Sequence, residues 1–502
     1  MGIFTADELA RAEAIGELAR CNPFLPERLA LERRVLGDEH VGDDRVWSAR
    51  DEIPDDNQNV LGIKDRGEEL VRVFRARSEA GTKPSAADRR AMARIADYVL
   101  YYRYVPQFYD LLQEAVAGGA GTKAPFFKAF VADWRSLFTT AGLPADDEAE
   151  AAHLFACLFQ IRRAFYCIFS NILGPSLVTA RLRAAVWQSI FASDMERYRR
   201  SLYNRLGDIT VLINGPSGTG KELVARAVAF SRYIPFDLRR GEFAANWRAE
   251  FRPLNLAALS PTLIESELFG HRRGSFTGAL DEHQGWVETC DIYGTVFLDE
   301  IGEIPLDIQA KLLRVLESRV FTRLGETQPR EFAGKLIAAT NRELGAEINA
   351  GRFRTDLYYR LCADTIRAPS LSERVASDPA ELATLVRFIA VRVAGPAEAT
   401  PLTEEAMTWI GANLPADYPW PGNVRELEQC VRNIMLRGEY RPANPTSPDD
   451  FWTKAKTGKL TADELLSGYC RQAYERLGSY EAAGRALGLD RRTVMARVKD
   501  RP

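Results

Sequence analysis

Disulfide chemistry is the first thing this chain cannot support. Its 502 residues hold seven cysteines, Cys21, Cys157, Cys167, Cys290, Cys362, Cys430 and Cys470, an odd and scattered set with no CxxC pair. That excludes a disulfide framework or a zinc ribbon and reads as reduced thiols in a cytosolic protein. Histidine is scarcer: His40, His153, His271 and His283 form no HExxH or similar ligand pair. No run of about 18 uncharged apolar residues occurs, so no membrane span is expected. The start, MGIFTADELARAEA, lacks an apolar h-region, so no signal peptide is expected and the expected location is cytoplasmic. Charge of one sign is also missing: 66 Lys and Arg less 69 Asp and Glu leaves −3. A uniformly basic nucleic-acid coat is thereby excluded, but not one small basic domain on a near-neutral body.

What is present is core material. Hydrophobic residues make up 46% and charged residues 27%, which excludes a wholly disordered chain. The length suggests about three domains. Residues 1–171 read as mostly helical, with apolar residues at helical spacing over 61–80, 86–117, 126–138 and 148–172. Breaks fall at 118–121 and 142–144, and 51–59 reads as a polar loop. The aromatic cluster Tyr98, Tyr101, Tyr102, Tyr104, Phe108 and Tyr109 reads as core. Beyond residue 172 short β-branched runs (209–214, 251–256, 295–298, 336–340) alternate with helical segments, the rhythm of a parallel sheet. Residues 404–436 read as helical with a turn at 419–423. Proline-rich 441–460 reads as a linker, and 461–502 as a small helical tail. No tandem repeat is apparent.

Three strand ends carry chemistry. Gly215-Pro216-Ser217-Gly218-Thr219-Gly220-Lys221-Glu222 fits GxxxxGK between an apolar strand and a helix, the context of a P-loop. Its glycines let backbone N–H groups turn onto phosphate oxygens, with Lys221 reaching the β and γ phosphates. Glu222 stands where a hydroxyl residue is usual, so Mg²⁺ needs help from Thr219 or a downstream acid. Gly294-Thr295-Val296-Phe297-Leu298-Asp299-Glu300 is a strand ending in two acids. Asp299 is expected to hold Mg²⁺ and Glu300 to polarise the attacking water. Leu336-Ile337-Ala338-Ala339-Thr340-Asn341 is a third strand with polar residues at its tip, where Thr340 and Asn341 would sense the γ-phosphate.

With Glu265-Ser266-Glu267-Leu268-Phe269-Gly270-His271 and Gly274-Ser275-Phe276-Thr277-Gly278-Ala279, the chain resembles the AAA+ central domain of bacterial sigma-54-dependent transcription activators. The likeness spans about 172–436. It implies a multidomain architecture: a mostly α N-terminal region (1–171), an α/β AAA+ P-loop ATPase core (172–375) with an α-helical lid (376–440), a linker (441–460) and a helix-turn-helix domain (461–502). It implies that the 274–279 loop contacts sigma-54, although Ser275 stands where Ala is usual. It implies trans-acting fingers at Arg354 and Arg360, a second sensor at Arg425, and a switch at Asn255 that restrains Glu300. Pro216 for the usual Glu, a basic and aromatic insertion at 231–250, and Pro369-Ser370-Leu371-Ser372-Glu373-Arg374 depart from the family pattern without removing a catalytic group.

In the tail, Ala482, Ala483, Leu487, Leu489, Val494 and Val498 supply the buried face of a helix-turn-helix. Arg491, Arg492, Thr493, Arg497 and Lys499 are left to face DNA. This tail resembles the Fis-type domain that ends many such activators. Residues 1–171 resemble no sensor; by position they take an unknown regulatory ligand or protein. The resemblance implies a nucleoid-associated ring, a hexamer, binding upstream DNA and spending ATP with Mg²⁺ on opening the closed complex of sigma-54 RNA polymerase holoenzyme. Two alternatives stand beside it: a nucleotide-gated DNA-binding regulator without promoter opening, and an AAA+ remodelling ATPase with another protein client.

Overall fold

The computed structural model describes residues 2–42, 57–248, 250–277, 279–442, 455, 458 and 460–499, except the side chain of Lys499. Most of the expected 51–59 loop and of the 441–460 linker lies outside these residues. The chain divides into two units, 1–436 and 437–502. Among the described residues no helix is long and apolar enough to cross a membrane.

The first unit opens with α1 (Ala6–Leu18), α2 (Glu27–Leu36), α3 (Gln58–Glu79), α4 (Ala86–Val116), α5 (Phe127–Thr140), α6 (Glu148–Asn171), α7 (Leu177–Phe191) and a short α8 (Met195–Arg197). Ser85 and Asp88 form a capping box that starts α4. Of the aromatic cluster on α4, Tyr98, Tyr104 and Phe108 are buried, with Tyr101 and Tyr102 packed against them, so the cluster is core.

Next comes a sheet built of β1 (Val211–Asn214), β4 (Phe251–Asn255), β5 (Thr295–Asp299), β8 (Lys335–Thr340) and β9 (Asp364–Arg367). Its order is β4-β5-β8-β1-β9, and every pairing is parallel. The register sets Asn214 beside Thr340 and Asn255 beside Asp299. Those polar strand ends therefore share one edge, the carboxyl edge where α/β sheets bind ligands. The buried runs of β5 and β8 explain why they read as continuous apolar stretches. Helix α9 (Lys221–Ala229) follows β1, and its Val224, Ala225, Ala227 and Val228 are buried. A lid of α15 (Leu371–Ser377), α16 (Ala380–Ala394), α17 (Ala399–Asn413) and α18 (Asn423–Arg437) ends the unit.

The insertion at 231–250 folds as the hairpin β2 (Phe236–Asp237) and β3 (Glu242–Phe243). Phe236 and Phe243 lie in the aromatic core of the N-terminal helices, with ring centroids 5.0 and 5.7 Å from Phe155. Phe243 N–H donates to Thr122 O. The departure from the family pattern is thus the segment that joins the N-terminal helices to the sheet.

Helix α6 supplies the other join. Gln160 Nε2 donates to Ser231 O (2.8 Å), and Arg163 donates to Phe230 O (3.2 Å) and Arg232 O (2.7 Å). A helix end leaves carbonyls without intrahelical partners and carries partial negative charge. Two buried side chains from α6 therefore tie down the C-cap of α9, Phe230, and the two residues that follow it.

Asp88 anchors the extreme N-terminus. Its carboxylate accepts N–H bonds from Ile3 (3.0 Å), Phe4 (3.2 Å) and Ser85 (2.7 Å). Burial pushes its pKa up, but the Ser85 hydroxyl and the three N–H groups outweigh that and hold it below the usual value. Asp88→Ala is expected to cost about 2–3 kcal/mol in urea unfolding at neutral pH. Because the folded pKa is lowered, this stabilisation is present above the unfolded pKa and fades as pH falls through the folded one. The gap between wild type and Asp88→Ala should therefore narrow in acid.

Candidate functional site

The loop 215–220 leaves β1 and enters α9 through three residues with positive φ, Gly215 (150°), Gly218 (78°) and Gly220 (90°). A Cβ on Gly215 would lie 2.3 Å from Ala368 O, and one on Gly218 2.3 Å from Gly422 O. Glycine is required there by both conformation and space. Lys221 is buried; its Nζ donates to Gly215 O (3.1 Å) and Pro216 O (3.3 Å) and stands 3.9 Å from Glu300 Oε1. Burial lowers its pKa against the pull of Glu300 and Asp299. Thr219 Oγ1 donates to Pro216 O, and Glu222 is engaged with Arg226, 2.7 Å away. Asp299 Oδ1 accepts from Glu300 N–H (3.1 Å), and among the described residues no side chain pairs with this carboxylate.

The lid clamps this loop through residues 422–425. Val424 N–H donates to Gly218 O (3.0 Å), and Asn423 Nδ2 donates to Ser217 O (2.9 Å). Asn423 Oδ1 accepts from Leu371 N–H (2.8 Å), and the residue holds φ at 52°. Asn tolerates that left-handed conformation better than most residues. Arg425 Nη1 reaches Ser217 Oγ at 3.4 Å. Sequence reasoning picked Arg425 and passed over Asn423, the buried member of the pair. Its signal was available: an Asn after Pro-Gly, where a chain must turn.

At the strand tips, burial and then the neighbouring Glu300 raise the pKa of Asp299. Two acids beside one buried lysine are an arrangement that a divalent cation suits. Glu300 adopts φ 57°, ψ 49°, rare for a residue with a long side chain, and its Oε2 accepts from Asn341 N–H at 3.1 Å. That backbone turn redirects Glu300 toward Lys221 and the β8 tip. Thr340 Oγ1 accepts from Arg342 N–H. Asn255 lies beside Asp299 in register, but its Oδ1 accepts from Ala257 N–H (3.0 Å), capping a turn and not engaging Glu300.

Arg354 and Arg360 sit apart from this cluster, exposed at the start and end of α14 (Thr355–Leu361). Arg354 pairs with Asp356 at 2.7 Å, and Arg360 stands 3.6 Å from Glu317. Gln309, fully buried on α12 (Leu306–Ser318), accepts from Arg354 N–H and donates to Ile304 O and Arg352 O. It fixes the backbone that presents the first arginine.

The 274–279 loop is a tight turn: Gly274 N–H donates to Ala279 O and Ala279 N–H to Phe276 O. Phe276 packs on His271 with ring centroids 4.9 Å apart, and Thr277 is exposed. Ser275 Oγ is buried with no partner, against Gly325. Gly278 lies outside the described residues. Arg323, buried beneath, pairs with Glu282 and Glu288, and Arg330 with Glu288 and Glu326.

The second unit packs α19 (Ala462–Leu477), α20 (Tyr480–Leu487) and α21 (Arg491–Lys499) around Cys470, Ala473, Ala483 and Val494, with Leu487, Leu489 and Val498 against them. Arg491, Arg492 and Thr493 are exposed at the start of α21. Arg497 instead pairs with Asp463 of α19 at 2.9 Å, and the side chain of Lys499 is outside the described residues.

Residues 191–367 match the Sigma-54 interaction domain. The Nif-specific regulatory protein of Azotobacter vinelandii is 44% identical over 301 residues, 58% of this chain and 54% of that protein. Transcriptional regulatory protein ZraR of Klebsiella oxytoca is 39% identical over 319 residues, 60% of this chain and 66% of that protein. DNA-binding transcriptional regulator NtrC of Rhizobium meliloti is 38% identical over 283 residues, 54% of each. The chain therefore spans between about half and two-thirds of the length of these relatives. Among solved structures, NtrX from Brucella abortus in complex with ATP aligns with TM-score 0.40 and 22% identity over 74% of this chain and 79% of that one.

The clamp yields a measurable expectation. Gly218→Ala forces a Cβ onto Gly422 O and should weaken binding of a fluorescent ATP analogue about 10-fold or more. Asn423→Ala breaks two buried bonds and should cost about 1–3 kcal/mol of stability, with weaker nucleotide binding. Asn423→Gly keeps the backbone conformation but not the bonds, so it should resemble Asn423→Ala in nucleotide affinity.

Proposed function

We propose a function from one premise: this chain carries the sigma-54 interaction domain and belongs with the sigma-54-dependent transcription activators. It binds ATP at residues 215–222, hydrolyses it between subunits of a ring, and spends the energy moving the 274–279 loop against sigma-54 in the closed promoter complex. The observation that carries this reading is the meeting of Lys221, Asp299, Glu300 and Asn341 at one sheet edge.

The N–H groups of the loop and the N-terminal end of α9 receive the phosphates. Lys221 exchanges its bonds to Gly215 O and Pro216 O for phosphate oxygens. Asp299 would hold magnesium, which supplies charge neutralisation at the β and γ phosphates. Glu300 orients the attacking water, and its tie to Asn341 N–H links that orientation to the γ-phosphate sensor. Arg354 and Arg360 face outward, where a neighbouring subunit's nucleotide would lie; their charge is permanent and their forks suit phosphate. The exposed Arg491, Arg492 and Thr493 suit entry of α21 into a major groove. The exposed Thr277 favours the partner loop over a purely structural turn, and with it the activator over the regulator without promoter opening.

The test pairs ATP turnover with heparin-resistant open-complex formation on a sigma-54 promoter. Glu300→Gln should keep nucleotide binding and lose turnover about 100-fold or more. Arg354→Ala and Arg360→Ala should do the same, by about 1,000-fold, and mixing either with Glu300→Gln subunits should partly restore turnover. Thr277→Ala should spare turnover and abolish open complexes. Turnover without open complexes in the wild type would favour a different protein client.

A further inference from the structure

A partly open cavity of about 710 Å³ lies in the first unit, between α6, residues 198–207 and residues 231–239. It is at the far end of α9 from Lys221. Ligand pockets commonly fall in this size range. Its lining carries four tyrosines, Tyr198, Tyr203, Tyr233 and Tyr293. It also carries the cations Arg232 and Lys335, and Arg239 from an exposed turn.

The cations lack direct ion pairs, although Asp291 attracts Arg232 and Asp364 attracts Lys335 from beyond ion-pair distance. Lys335 Nζ donates to the carbonyls of Leu206 (2.9 Å) and Ile209 (2.7 Å), and Arg232 Nη1 donates to Gly294 O. Neither has a carboxylate within ion-pair distance among the described residues. Asp237, the one acid on the wall, accepts from Arg239 N–H and Arg240 N–H. Nearby Asp208 is paired with Arg319. Burial lowers the pKa of both cations, that of Lys335 to about 7. Ser189 Oγ, also on the wall, is buried with no partner. A buried lysine and a half-buried arginine without ion pairs cost free energy that an anion would recover.

Three elements link the cavity to the nucleotide site at their opposite ends. Arg232 follows α9, whose first residue is Lys221. Gly294 precedes β5, whose last residue is Asp299. Lys335 begins β8, which ends at Thr340 and Asn341. Gln160, held by Tyr198 O–H, caps the end of α9.

We propose that this cavity binds a small aromatic organic anion, its carboxylate or phosphate on Arg232 and Lys335 and its ring among the tyrosines, and that occupancy alters ATP turnover. The second half rests on the ATPase reading above; the first does not.

The experiment uses the full chain with benzoate, phenyl phosphate and neutral benzyl alcohol, with affinities read by calorimetry and ATP turnover measured alongside. Benzoate or phenyl phosphate should bind at least about 10-fold more tightly than benzyl alcohol (1.4 kcal/mol per tenfold), and their ratio tells carboxylate from phosphate. Lys335→Met should lose about 10-fold or more. Arg239→Glu, on an exposed turn and safe for folding, should weaken the anion severalfold and leave benzyl alcohol alone. The proposal falls if neither anion binds, if benzyl alcohol binds equally, or if Arg239→Glu changes nothing. Binding with unchanged turnover overturns the coupling. A chain that binds the anion but never turns over ATP overturns the ATPase reading and leaves the site standing.

Discussion

A nine-residue helix has two ends, and both ends of α9 must be satisfied for the sheet edge to work. Its amino end meets the glycine loop, where backbone N–H groups and Lys221 converge. At its carboxyl end the chain leaves through Phe230, Ser231 and Arg232, whose carbonyls would otherwise lack their side-chain partners, at a cost of up to about 1–3 kcal/mol each. Gln160 and Arg163 supply those partners from α6. The helix can then pack tightly against β1, β5 and β8, which fixes the distance from Lys221 to Glu300.

The loop itself is held from the opposite side. Three contacts from residues 422–425 engage Ser217 and Gly218, so the lid and the phosphate loop form one surface. Glu300 completes it through an unusual backbone turn, and left-handed geometry of this kind costs about 1–3 kcal/mol. The bond from Asn341 N–H and the nearby Lys221 offset part of that cost. The acids and the lysine are thus mutually positioned, whereas Arg354 and Arg360 are oriented by α14 and the buried Gln309 toward the outside.

Much of this was legible in the sequence because its signals are local. GxxxxGK between strand and helix, an apolar run ending in Asp299-Glu300, and Arg491 after a glycine turn each fit in fewer than a dozen residues. Four of the five strands followed from alternating β-branched runs and helical periods, whereas β9, the short edge strand beside β1, was not anticipated. What escaped were pairings across long sequence distances. Asn423 meets Ser217 and Leu371, Gln160 meets Ser231, and Arg497 meets Asp463; nothing in the neighbouring residues of either partner announces them. The insertion at 231–250 looked like a departure because its purpose lies in Phe155 and Thr122, more than 80 residues away. The switch role of Asn255 came from resemblance, and its side chain is engaged elsewhere, with Ala257 N–H.

The finishing of α9 by α6 bears on how such a chain can evolve. A regulatory region tethered only by a linker is a cassette, replaceable by any other that reaches the same surface. Here the N-terminal helices share a hydrophobic core with the sheet, and they anchor the exit of the helix that carries Lys221. Exchange of residues 1–171 for a foreign sensor would strip three carbonyls and open an aromatic seam. A change on either side of that seam is therefore felt on the other, and the two regions stand or fall as one compact unit.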